Sequence, residues 1–152
     1  MTRVFMLALA LGSTSLAATA DTAPPAYAPG LGDFMTAYVQ PHHIKLWYAG
    51  KAGNWTLAAY EATELRETFG DISTYQADWQ NVPVAELVQA LIEPALNEVQ
   101  SAIQAKNAAE FEATYRAMTA ACNTCHTTAQ KKYIEVEVPT LNPFTDQNFA
   151  PH

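Results

Sequence analysis

The sequence predicts an all-α protein: a four-helix bundle followed by an extended C-terminal tail. Three observations carry this. Apolar residues recur in steps of three and four through four successive segments, the period of helices that each bury one face. Two of those segments open on an asparagine in the N-cap position. Only one stretch alternates apolar and polar residues, so there is no sheet to build on and the helices must bury their stripes against one another.

Residues 1–20 read as a secretory leader. Arg3 supplies the positive start, Val4 to Leu11 the apolar run, and Ala18-Thr19-Ala20 a small-residue cleavage site, with cleavage near Ala20. The run is too short to span a bilayer, and nothing later is long and apolar enough to do so. The expected destination is the periplasm. Residues 21–32, rich in proline and glycine, form a leader without regular structure.

The helical domain is expected over residues 33–133. The first helix runs from about Asp33 to Ala49, where Gly50 and Gly53 stop it, and Pro41 should kink it or begin it afresh. The second opens at Asn54 and ends near Gly70. Its stripe is Trp55, Ala58, Ala62, Leu65 and Phe69, with Glu61, Glu64 and Glu67 off the stripe. The third runs from about Pro83 to Lys106 on Val84, Leu87, Val88, Leu91, Ile92, Leu96, Val99 and Ile103, with a kink at Pro94. The fourth opens on Asn107-Ala108-Ala109-Glu110, a capping-box pattern, and carries Phe111, Tyr115, Met118, Cys122, Cys125 and Ala129 to about Tyr133. Residues 134–152 form the tail. Its Ile134 to Val138 alternation is a strand signature, expected to lie along the bundle or to pair across a homodimer.

Composition narrows the function classes. The 152 residues are 49% hydrophobic and 15% charged, as in a folded domain. A formal charge of −7 argues against nucleic acid and suits a basic protein partner.

The chemistry lies in Cys122-Asn123-Thr124-Cys125-His126. C-x-x-C-H is the attachment pattern of c-type haem. On a helix, positions i, i+3 and i+4 share one face. Two thiols can then form thioethers to the vinyl groups while the imidazole reaches the iron. Alternatives fit less well. A thioredoxin-like pair expects a βαβ setting, and a zinc site needs four ligands, which two cysteines and one histidine do not supply. The expected cofactor is one covalent haem c, with His126 as an axial iron ligand.

No methionine follows His126, so a second axial ligand must come from upstream, where the first helix offers Met35, His42 and His43. His43 shares a face with Val39, Leu46 and Trp47, whereas His42 shares one with Tyr38, Lys45 and Ala49. His43 is therefore favoured as a distal ligand or distal-pocket residue. Trp47, Tyr48, Trp55 and Tyr115 are candidate pocket walls, although core filling explains each of them as well.

A C-x-x-C-H motif near the end of the last helix of such a bundle resembles the cytochrome c′ class, over residues 33–133. That class usually follows the motif closely with an aromatic–basic pair, whereas Thr127-Thr128-Ala129-Gln130 stands here. The chain is also similar to a group of small exported bacterial haem proteins. The similar stretches are residues 43–50, residues 54–61, Cys122 to His126, Pro139-Thr140, Pro143-Phe144 and Gln147. The resemblance implies a cytochrome and supports His43. The expected function is electron transfer with a redox partner protein, with NO or CO binding as the alternative. An enzyme such as a peroxidase ranks last, because no acidic or arginine partner is placed beside His42 or His43.

Overall fold

In the computed structural model, which describes residues 27–151, the chain is mostly helical, with a two-residue-per-strand hairpin as the sole sheet among the described residues. Helix α1 joins Leu31–Asp33, Phe34–Val39 and Gln40–Lys51 without a break, and α2 is Trp55–Tyr75. The hairpin pairs β1 (Asp78–Trp79) with β2 (Val82–Pro83), antiparallel. Helix α3 joins Val84–Leu87, Val88–Ile92 and Glu93–Gln104, and α4 is Ala108–Thr128. The secretory leader and residues 21–26 lie outside the described residues.

The two internal prolines do not break their helices. Each is preceded by a widened π-type turn, Phe34–Val39 before Pro41 and Val88–Ile92 before Pro94. In each, the residue just before the proline reaches five residues back, Gln40 N–H to the Met35 carbonyl and Glu93 N–H to the Val88 carbonyl. Proline lacks an N–H and its ring crowds the carbonyl four residues earlier, so one extra residue in the turn relieves the clash while the axis continues.

The N-caps are as the sequence predicts. Asn54 Oδ1 accepts from Leu57 N–H at 3.1 Å, and Asn107 Oδ1 accepts from Glu110 N–H at 3.2 Å. The Glu110 carboxylate takes the Asn107 side-chain amide at 3.1 Å, where a capping box would have it reach the backbone.

Two glycines depart from expectation. Gly70 lies inside α2, which continues to Tyr75. An interior glycine costs about 1 kcal/mol, less than the roughly 1.5–3 kcal/mol gained by burying Ile72, which is wholly enclosed two residues on. Gly50 does not stop α1 either; Gly53, with φ of 71°, makes the turn. Gly50 is there because the Phe111 ring of α4 lies against it. A Cβ at that position would stand 2.1 Å from Phe111 Cε1. Gly50→Ala is therefore expected to lower stability by about 1–3 kcal/mol, the usual range for overpacking. A denaturant midpoint equal to the parent's would contradict this contact.

The apolar stripes meet in one core. Helix α1 packs on α2, α2 on α3, α3 on α4, and α4 returns to α1. Along that last seam His43 meets Tyr115 and Thr119, Gly50 meets Phe111 and Lys51 meets Glu112, so α1 and α4 run antiparallel. Glu61, off the apolar stripe, is nonetheless only 2% exposed, and His42 Nδ1 lies 2.7 Å from its carboxylate across the α1–α2 seam. A buried carboxylate is tolerated when it is hydrogen-bonded in this way.

The tail contains no strand among its described residues. It straps the outside of the helices: Phe144 lies under Lys45, Phe149 packs on Tyr48 with ring centres 5.9 Å apart, and Asn54 Nδ2 donates to the Ala150 carbonyl at 3.0 Å. No helix among the described residues is long and apolar enough to cross a membrane.

Candidate functional site

Cys122, Cys125 and His126 occupy the last two turns of α4, which closes at Thr128 and not near Tyr133. Cys122 packs against the core between helices, and Cys125 and His126 are half-buried. The spacing thus places the three functional atoms on the inward side of one helix, as the 3.6-residue period requires.

The histidine is oriented. His126 Nδ1 lies 2.8 Å from the Ile134 carbonyl oxygen, which can only accept, so Nδ1 carries the proton. That leaves Nε2 as the lone-pair nitrogen, the arrangement in which a metal-ligating imidazole is usually held. The chain reaches Ile134 through a turn, with Ile134 N–H donating to the Lys131 carbonyl at 2.8 Å.

The thiols are poor candidates for redox exchange. Burial, and secondarily Cys125, pushes the Cys122 thiol up to about 12, and burial raises Cys125 as well. Exchange-active C-x-x-C thiols are shifted the opposite way, by a helix N-terminus or nearby cations. Here both cysteines lie near a helix C-terminus, and neither is in a disulfide. Among the described residues no three His, Cys, Asp or Glu side chains gather in a metal-binding group.

The three upstream candidates separate clearly. His42 points to α2, paired with Glu61 and 3.9 Å from Glu64, on the seam that does not involve α4. His43 crosses to α4. Its Nδ1 is 3.0 Å from Tyr115 Oη and its Nε2 is 3.0 Å from Thr119 Oγ1, one turn before Cys122. Tyr115 Oη also lies within donating distance of the His43 carbonyl, 2.8 Å, and Thr119 Oγ1 within that of the Tyr115 carbonyl, 3.0 Å. Burial lowers the His43 pKa to about 4 and raises that of Tyr115, so the imidazole is neutral and the phenol protonated. Met35 is half-buried against the core. The Phe34–Val39 turn that carries Met35 packs chiefly on α2.

Of the proposed pocket walls, Trp47 and Trp55 cluster with Phe111, at ring-centre distances of 6.2 and 6.0 Å. That places them about three turns of α4 from Cys122, as core filling. Tyr115 belongs to the His43 network and Tyr48 to the tail contact. At the other end Ala129, on the stripe of Cys122, borders a cleft of about 420 Å³ with Trp79, Val82, Pro83 and Lys131, within the ordinary size of a ligand pocket.

Sequence reasoning did not single out Thr119, Glu61 or Asn123. The Asn123 side chain makes two bonds of 2.8 Å with the backbone of Val136. A scan against protein-family models and searches of curated proteins and of solved structures found no match to this chain.

Proposed function

We propose that the protein is a periplasmic monohaem c-type cytochrome whose haem c is attached at Cys122 and Cys125 and ligated by His126, and that it carries electrons to and from a partner protein. The observation that carries this is His126 itself. Its Nδ1–H is committed to the Ile134 carbonyl, its Nε2 is left for iron, and both thiols stand on the same side of α4. The closed ring of helix contacts supports reading the fold as a four-helix bundle.

The residues fit the group. Each cysteine Sγ–H would add across one vinyl double bond, the sulfur to one carbon and the proton to its neighbour, so no oxidant would be consumed. Haem supplies a one-electron iron couple, whose potential is set over about 0.8 V by the axial ligands. The rigid seam at His43, Tyr115 and Thr119 keeps the helix opposite in register while charge changes. His43 is the favoured distal residue and would have to release Thr119 to ligate iron. The net charge of −7 favours a basic redox partner.

One observation favours a second reading, a gas-binding haem protein. Both ring nitrogens of His43 are already hydrogen-bonded to α4, so a bound iron would find no free nitrogen on His43. Spectra of the ferrous protein with and without CO separate the two. A carrier is expected to be six-coordinate, low-spin and unmoved by CO. A high-spin ferrous form that takes up CO at once would move the assignment to gas binding.

A further inference from the structure

The tail segment that holds His126 is itself held by a residue inside the C-x-x-C-H motif. Asn123 Nδ2 donates to the Val136 carbonyl at 2.8 Å, and Val136 N–H donates to Asn123 Oδ1 at 2.8 Å. These are the two bonds that a facing residue of an antiparallel strand would exchange, here supplied by one side-chain amide. Two residues earlier in the same segment, the Ile134 carbonyl accepts from His126 Nδ1. Ile134 is 48% exposed, so packing does not fix its carbonyl. The Lys131 turn fixes it from one side and the Asn123–Val136 clasp from the other.

We propose that Asn123 is a positioning residue for His126. By clasping Val136 it keeps the Ile134 carbonyl on the imidazole, and through that bond it sets the basicity of the iron-facing nitrogen and the reduction potential. The proposal rests on the haem assignment above. An N–H···O=C bond at Nδ1 pushes electron density into the ring, and a more basic imidazole favours ferric over ferrous iron. Releasing the clasp therefore raises the potential.

The test is a potentiometric titration of the full-length, haem-loaded protein. Asn123→Ala removes both clasp bonds, and Val136→Pro removes the N–H bond from the other partner. Each is expected to shift the ferrous/ferric ratio about tenfold toward ferrous, which for one electron is about 59 mV upward. The double variant should move no further than the larger single shift, because both act through one contact. Thr124→Ala, whose hydroxyl bonds only to the Ala120 carbonyl on the exposed side, should keep the parent's potential. A haem-loaded Asn123→Ala at the parent's potential would overturn the proposal, as would shifts that add in the double variant. If Asn123→Ala fails to hold haem, Val136→Pro alone decides, by its shift or the lack of one. A parent protein that takes up no haem refutes the haem assignment itself, a different result from an unshifted potential.

Discussion

His126→Gly is expected to keep its haem through denaturation, because Cys122 and Cys125 are untouched, yet to lose the parent's absorption spectrum in both oxidation states. The imidazole is oriented by a protein partner, its Nδ1–H donating to the Ile134 carbonyl at 2.8 Å. Under the haem assignment, glycine would remove the iron ligand and leave a gap of its size in front of that carbonyl. Imidazole added to the buffer should enter the gap, donate to Ile134 and restore the parent spectrum. The readout is an imidazole titration by absorption. Spectra indistinguishable between parent and variant would show that His126 is not a ligand, whatever holds the porphyrin.

Acid should destabilise the protein through His43 by about 3 kcal/mol, the second large effect. Burial holds the folded-state pKa at about 4, against 6.5 for the exposed ring. A group whose folded pKa is depressed contributes stability that is complete above the unfolded value and is lost as pH falls through the interval to the folded value. The interval here is 6.5 to about 4, and at 1.36 kcal/mol per pH unit it amounts to about 3 kcal/mol. Iron ligation would also require the neutral ring, so the sign is the same with haem bound. His43→Phe isolates the term. Tyr115 Oη keeps the residue-43 carbonyl and Thr119 Oγ1 keeps the Tyr115 carbonyl, so neither hydroxyl is orphaned. Denaturant midpoints of parent and variant should diverge in slope between about pH 6.5 and pH 4. Parallel slopes would mean that His43 titrates normally.

The helices were legible because their information is local and periodic. Most of the stripe residues of α2, α3 and α4 are buried as their spacing predicts, with Trp55, Leu87, Leu91, Cys122, Cys125 and Ala129 only half-buried, and Asn54 and Asn107 cap through contacts three residues away. Where expectation and structure part, the deciding contact is distant in sequence. Gly70 reads as a stop because the burial of Ile72 against other elements is invisible locally. Glu61 stands off the apolar stripe, and its partner in burial, His42, lies on another helix. Gly50 reads as a turn because the ring it accommodates belongs to Phe111.

The candidate site divides the same way. Cys122, Cys125 and His126 are readable as one spacing on one helix face. The acceptor for His126 is a backbone carbonyl, which carries no side-chain signature, and the strand-like residues 134–138 find their partner in a side chain where a strand was expected. His42 and His43 are adjacent and differ only in phase, yet one joins the α2 carboxylates and the other the α4 hydroxyls.

The decisive measurement is the intact mass and visible spectrum of the chain after it has been produced alongside c-type haem maturation machinery and then unfolded. One porphyrin per polypeptide should persist under denaturing conditions, heavier than the apoprotein by that single group and showing the ferrous bands of a bis-thioether haem. A chain that emerges without colour and weighs only its amino acids would contradict the assignment of Cys122, Cys125 and His126 outright.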